Sequence, residues 1–595
     1  MRNLGRMIEE RCRTYAGNAF LCYPADDSLV RISYREFLGD VVRWAAALKS
    51  RGIEPGDRVG IITPKSPHQV RAFYACWWLG AIAVPICEGL GDLEMGFIIR
   101  DSEPAVILID ESMADKVAAN CGDIPLATFG ALTEDSAGLP PDAVACRETD
   151  EDAIAALIYT SGSTGMPKGV MLTHRNFYVN ASSTLDVLRF DPCDRIISLL
   201  PYWHSYALVC EVICAAMAGA QTIVPRDKRD FRRNITAYQP TIVLVVPRIA
   251  DAIKTGIEKR IAEATPRVRS LFEKAVHNAS RIFTAGPRLD GGLLRLVAHH
   301  SFYDPVVFRK IRKSFGGKVR FFVSGGAPLD LEHQIFFKYI GMPMYQGYGL
   351  TESAPIVSSN LPERHKLGSA GMLFPWLKAE NGGDFTFRDD KGQVGRDVKG
   401  ELLVKGDCVM KGYWRHTDVS AKTLADGWLH TGDMGYVDED GYLFLEGRQG
   451  NMIVLFGGEK LHPEHVEDAI KSCKRVVEAM VIGEKCKNVY VLVNVDPERT
   501  AGLSAAELNT EVRAEVMAAT EHLAAYQRPK DVLVLPEFSP DDGTLTVTLK
   551  VRRHRIWELY GREIREFLKQ NGEDVATKED VRIASSRVME TLGRN

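Results

Sequence analysis

An α/β fold is what this sequence predicts: a large N-terminal domain of α/β sheets carrying a small β-barrel-like unit, followed by a small α/β C-terminal domain. Three observations predict it. Short runs rich in Val and Ile alternate with stretches of helical period, the pattern of largely parallel sheets crossed over by helices. No repeat period recurs, which excludes a solenoid. The chain has 595 residues, 45% hydrophobic and 26% charged, enough for roughly four domain-sized units.

The elements follow in order. Residues 2–17 (RNLGRMIEERCRTYAG) read as an amphipathic first helix. Helical period also marks residues 34–51 and 331–340. Strands are expected at residues 58–63 (RVGIIT), 105–109 (AVILI), 154–159 (IAALIY), 196–200 (IISLL) and 241–246 (TIVLVV). The apolar stretch 73–86 is shorter than the roughly 20 residues a spanning helix needs, and the stretch 207–224 carries Glu211 and Gln221. Both are expected to be buried core helices. Residues 383–445 are rich in Gly and Asp around short strands, which reads as a small antiparallel or barrel-like unit. The turn GRQG at 447–450 marks a boundary between a domain of residues 1–448 and one of residues 449–595. A second α/β pattern follows, and residues 551–595 read as mostly helical and highly charged.

The charge balance, 74 Lys plus Arg against 78 Asp plus Glu, gives about -4 and excludes a generally basic nucleic-acid binder. Twelve scattered cysteines without a CxxC pair, on a chain that opens without a signal peptide, point to a reduced cytoplasmic protein.

Five strings carry chemistry. Residues 159–173 (YTSGSTGMPKGVMLT) follow a strand. Gly162, Gly165 and Gly169 let backbone N–H groups approach a polyanion, Thr160, Ser161, Ser163 and Thr164 supply hydroxyls, and Lys168 supplies a cation: the parts of a triphosphate cradle. The spacing is neither Walker A nor GxGxxG. Residues 345–353 (YQGYGLTES) offer the flat face of Tyr348 beside Gly349, a hydroxyl at Thr351, and a carboxylate at Glu352 able to hold Mg2+ together with phosphate oxygens. In residues 428–448, Asp433 can accept from the two hydroxyls of a ribose and Arg448 can meet ribose or phosphate, while Asp438 and Asp440 read as turn formers. His204 lies in LPYWHSY, and Lys550 in DGTLTVTLKVRR. Packing and solvation are the ordinary fates of a lone His and a lone terminal Lys.

These strings, in this order, resemble the adenylate-forming superfamily of acyl-CoA synthetases, luciferases and peptide-synthetase adenylation domains, over about residues 4–553. The form TLTxTLKxRR is similar to long-chain fatty acyl-CoA synthetases, with Val547 standing where that group commonly has Pro. The resemblance implies ATP- and Mg2+-dependent activation of a medium- to long-chain fatty acid to an acyl-adenylate, then transfer to coenzyme A. It implies that Gly326 and Ala327 of the SGGAP loop border the adenine and acyl pocket, that His204 borders the acyl carboxylate, and that Lys550 reaches that carboxylate and the α-phosphate. The segment after His204 and residues 246–249 would wall the acyl pocket. A mobile small domain would turn about Gly450, where the family commonly has Asp or Lys, and bring residues 457–463 (GGEKLHP) to the site. Glycine there suggests a loose hinge. The alternatives are an acyl carrier protein as acceptor and a catalytically silent ligand-binding homologue. The basic run at 552–555 (RRHR) reads as a solvated face, with an anionic membrane surface as the alternative.

Overall fold

The structure is a computed structural model that describes residues 2–25, 28–160, 166–284, 303–546 and 550–573. The chain divides into two compact units, residues 1–431 with 435–445, and residues 432–434 with 446–595.

Two sheets build the first unit. One runs in the order Gly412–Tyr413, Lys168–Thr173, Ile154–Thr160, Ile82–Ile86, Arg58–Ile62, Val106–Ile109, Leu126–Thr128. Its last five strands are parallel, and the first two are added antiparallel. The other sheet has a parallel run of Met344–Gly349, Phe321–Ser324, Ile242–Val245, Arg195–Ile197, Gln221–Ile223 and Ala19–Ala25. Val106–Ile109, Ile242–Val245 and Phe321–Ser324 are buried at every position. That is why these strands read as unbroken apolar runs and not as alternating ones: helices cover both faces. The Gly- and Asp-rich stretch forms the expected antiparallel group, with Asp384–Arg388 on Gly400–Lys405. It continues into the second sheet, where Gly371–Leu373 pairs with Leu443 and Tyr442.

Local signals set the helix ends. Helix Tyr34–Ser50 starts in a capping box, Ser33 with Glu36, and helix His174–Leu188 in another, Thr173 with Asn176. The stretch 73–86 is not the single core helix expected. Helix Pro67–Leu79 stops at Gly80, which takes a left-handed φ of 75°, and the remainder is strand Ile82–Ile86. Likewise the stretch 207–224 is helical only to Ala218, turns at Gly219 (φ 74°), and ends in strand Gln221–Ile223. In both, a glycine inside an apolar run marks a change of period that composition alone does not reveal.

In the second unit, Val476–Ile482 pairs antiparallel with Val489–Val495, which pairs parallel with Pro529–Val534. Helices Pro463–Ile470, Ala505–Ala519 and Arg553–Gln570 accompany this sheet. Among the described residues no helix is long and apolar enough to cross a membrane. All twelve cysteines are free thiols, and of them only Cys193 is exposed.

Candidate active site

Open parallel sheets bind ligands at the carboxyl ends of their strands, and that is where the predicted residues of the first unit fall. Strands Ile154–Thr160 and Lys168–Thr173 form a hairpin with Thr160 opposite Lys168. Its loop residues Ser161, Gly162, Ser163, Thr164 and Gly165 lie outside the described residues. A Cβ at Gly169 would lie 3.0 Å from the Tyr159 ring and 3.3 Å from Trp414. The missing side chain there serves packing.

A third strand ties this hairpin to the YQGYGLTES segment. Gly412–Tyr413 pairs with Met171 and Val170, and Trp414 N–H donates to Gly169 O at 2.7 Å. This register places the Lys168 ammonium 5.8 Å from the centre of the Tyr413 ring. The Tyr413 hydroxyl donates to Glu352 Oε1 at 2.8 Å, and Met410 N–H donates to the Glu352 carbonyl at 2.8 Å. Lys168, Tyr413 and Glu352 therefore form one constellation. Tyr413 was not singled out in the sequence. Its signal was the aromatic pair after Gly412, inside a stretch read only as barrel-like.

Thr351 opens a short turn, Thr351–Ser353, directly after strand Met344–Gly349. Its hydroxyl is buried and 3.3 Å from Ser205 Oγ. Gly349 is obligatory for this turn, since a Cβ would lie 2.0 Å from Pro355 O. Tyr348 is half-buried on the same strand, opposite Ser358. His204 Nδ1 accepts from Tyr206 N–H at 3.3 Å, so the neutral ring carries its proton on Nε2 and offers a donor there. The Tyr206 phenol donates to Val323 O at 3.0 Å and packs under Gly325. That contact joins the His204 segment to the SGGAP loop, where Gly326 (φ 83°) and Ala327 are exposed.

The remaining predicted residues belong to the second unit. Asp433 is buried and accepts from Arg448 Nε at 2.9 Å, while Arg448 is itself exposed. Gly450 sits in the turn Gln449–Asn451 and is absent from the positive-φ glycines; a Cβ there meets nothing within 4 Å. In this conformation the position does not draw on the backbone freedom of glycine. The glycine that does so is Gly447 (φ 146°), where a Cβ would lie 2.6 Å from Glu464 Oε2 and 2.8 Å from His462 Cβ. Lys550 is exposed. Leu545 and Val551 form an antiparallel bridge, and Thr546 N–H donates to Lys550 O at 2.8 Å. Residue Val547 lies outside the described residues. Arg553 of the basic run is not a free surface charge: it forks onto the Glu467 carboxylate and, at 2.7 Å, onto Val481 O.

For Mg2+ the chemistry of the site fits. Among the described residues no cluster of three or more His, Cys, Asp or Glu could hold a metal. A magnesium ion arriving on phosphates needs only one or two carboxylates. Glu352 supplies one, half-buried, and its side chain accepts from a neutral phenol, not a cation.

The chain matches the AMP-binding enzyme family over residues 8–414 and the AMP-binding enzyme C-terminal domain over residues 450–572. It is 31% identical over 558 residues to the long-chain-fatty-acid–CoA ligase FadD15 of Mycobacterium bovis, covering 87% of this chain and 89% of that one. It is 26% identical to long chain acyl-CoA synthetase 1 of Arabidopsis thaliana, covering 90% and 87%. Among solved structures, the Mycobacterium tuberculosis fatty acyl CoA synthetase superposes with a TM-score of 0.65 at 25% identity, covering 95% and 99%. ATP-bound MatB from Rhodopseudomonas palustris, at 24% identity and TM-score 0.71 over 93% and 99%, shares the fold.

Proposed function

The chain belongs to the AMP-binding enzyme family, and from that premise we propose that it is a fatty-acid–CoA ligase, converting a medium- to long-chain fatty acid, ATP and coenzyme A into acyl-CoA, AMP and pyrophosphate. The observation that carries the reading is the constellation Lys168–Tyr413–Glu352 at the carboxyl ends of parallel strands. It stands in a chain whose relatives are named as long-chain fatty-acid ligases.

A carboxylate is a poor acylating agent because its oxygen is a poor leaving group. In the first step a carboxylate oxygen attacks the α-phosphorus of ATP and pyrophosphate leaves. Lys168 neutralises the β- and γ-phosphates, and Thr351 donates its hydroxyl to a phosphate oxygen. Tyr348 lies flat against the adenine, with Gly326 and Ala327 along its edge. Asp433 accepts from the ribose hydroxyls and Arg448 supports it. Bound Mg2+, held by Glu352, supplies charge neutralisation on the phosphates. His204 donates from Nε2 toward the acyl carboxylate, and Lys550 aligns that carboxylate with the α-phosphate. Positioning and charge stabilisation are the main needs of such a transfer. In the second step the coenzyme A sulfur attacks the acyl carbon and AMP leaves with the oxygen that had been the carboxylate's.

The test is AMP formation from MgATP across acids from acetate to oleate, each with and without coenzyme A. AMP in proportion to acyl-CoA, with a maximum at the longer chains, supports the reading. A maximum at short or aromatic acids overturns the substrate class. Acyl-adenylate that builds up with coenzyme A present, and is discharged by an acyl carrier protein, overturns the acceptor.

A further inference from the structure

A buried charged cluster lies behind the His204 segment and takes no part in the chemistry above. It gathers residues from the carboxyl ends of strands in both sheets. Lys65 follows Arg58–Ile62, Glu88 follows Ile82–Ile86, and Ser198 follows Arg195–Ile197. Glu211 comes from the helical stretch behind them and has no exposed surface. It sits in the π-helical turn Leu208–Ile213, a widened geometry that recurs at functional sites. There its carbonyl accepts from Thr222 Oγ1 at 2.8 Å.

The Glu211 carboxylate gathers three donors from one segment. Oε1 accepts from Leu199 N–H at 3.2 Å and Leu200 N–H at 3.3 Å, and Oε2 accepts from the Ser198 hydroxyl. Lys65 Nζ donates to Ser198 Oγ at 3.1 Å and stands 3.9 Å from Glu211 Oε2. It also lies 5.3 Å from the centre of the Tyr202 ring, and Tyr202 Oη is 2.7 Å from Ser198 Oγ. A hydroxyl has one hydrogen, so with the Ser198 proton on Glu211 the phenol gives its own to Ser198. Burial pushes the Lys65 ammonium down to about 8 and the Glu211 carboxyl up, each opposed by the other's charge. Burial raises the Glu88 carboxyl, and the Lys65 charge opposes that push.

Two buried charges are costly to desolvate, and an apolar pair of the same volume is often as stable. Stability alone therefore does not account for this pair. Its side-chain hydrogen bonds converge on Ser198, Leu199 and Leu200, the stem of the segment that ends at His204. We infer that Glu211, compensated by Lys65 through Ser198, is a positioning residue for the acid substrate: it fixes the backbone from Ser198 to Leu200 and thereby the place of Trp203 and His204. This inference rests on the reading that His204 meets the acyl carboxylate.

The experiment measures KM for oleate, KM for ATP, kcat and melting temperature for the full chain and for Glu211→Gln, Lys65→Met, the double variant, Ser198→Ala and His204→Ala. Each single change in the pair is expected to raise the oleate KM about fivefold or more with the ATP KM within about twofold, because only acid binding is disturbed. The double change removes both charges, keeps the volumes, and restores the oleate KM to within about twofold of the parent. Ser198→Ala leaves both charges in place and keeps the proposal testable where a single variant fails to fold. It is expected to raise the oleate KM about threefold. A raised oleate KM in His204→Ala, with no change in Ser198→Ala and the pair variants beyond a lower melting temperature, overturns the inference and leaves the acid-binding reading standing. An unchanged oleate KM in His204→Ala overturns that reading, and the inference with it.

Discussion

One phenol sets the direction of the Glu352 carboxylate, the Tyr413 hydroxyl at 2.8 Å, and its loss is a mild and informative change. Tyr413→Phe removes one charge-assisted hydrogen bond from a half-buried carboxylate to which water still has access. If Glu352 holds the ion, the Mg2+ concentration for half-maximal rate rises about threefold in a titration at fixed ATP, with the melting temperature nearly unchanged. An unaltered Mg2+ dependence speaks against that role for Glu352. At this scale the residues proposed for the site lie in contiguous strings, and Lys168, Thr351, Glu352, His204 and Asp433 stand out in the sequence without any geometry. Tyr413 does not, because its place depends on the pairing of Gly412–Tyr413 with Lys168–Thr173, more than two hundred residues away in the chain. Glu211 drew notice only as a charge in an apolar run, since its partners Lys65 and Ser198 come from separate strands. Which glycine of the 447–450 turn takes a positive φ was not legible either: it is Gly447, and a glycine's φ is not visible in its letter.

Elements are held by a few long-range ties, and two of these make predictions. Helix Leu4–Thr14 is tied to the start of helix His174–Leu188 by Leu4 N–H donating to His174 Nδ1 at 3.3 Å. Burial pushes His174 down to about 4 from 6.5. Below 6.5 the unfolded chain takes up a proton that the folded ring refuses until about 4, so acid favours unfolding across that window. The full stability is present above it, and about 3 kcal/mol is lost by its lower end. His174→Gln keeps an acceptor that does not titrate. Its melting temperature is expected to fall less steeply with acidification over that window than the parent's; an identical slope would refute the assignment. In the second unit Arg553 closes a ring with Glu467 and Val481, whose N–H donates to Glu467 Oε1 at 2.7 Å. That ring anchors helix Arg553–Gln570 three residues after Lys550. Arg553→Met strands a carboxylate and is expected to destabilise the unit by about 2–3 kcal/mol and to speed proteolysis near Lys550. Adding Glu467→Met is expected to recover much of the loss, and thermal unfolding of the three proteins checks it. The alternation of strands and helices was legible from period and composition. The two apolar stretches were misjudged as single helices because Gly80 and Gly219 switch the chain from helix to strand inside runs that stay apolar.

For the whole molecule the sequence pattern foretold the α/β class and the order of its parts, since helix-covered parallel strands leave an unmistakable Val- and Ile-rich alternation. Which strands neighbour which was not legible, because the order in each sheet is set by crossovers that leave no local mark. The proposed chemistry divides into two steps, and Lys550 is assigned to the first. Lys550→Ala is expected to lower acid-dependent pyrophosphate release about a hundredfold or more, while acyl-adenylate supplied ready-made is still converted by coenzyme A. Equal loss in both steps would point to a general role in folding or nucleotide binding.

The central claim is that a carboxylate oxygen attacks the α-phosphorus and leaves on AMP. The most direct measurement supplies oleate with heavy oxygen in its carboxylate, runs the reaction with MgATP and coenzyme A, and weighs the products by mass spectrometry. The account predicts one heavy oxygen in each AMP and none in pyrophosphate. AMP without the label, or label recovered in inorganic phosphate beside ADP, would contradict it.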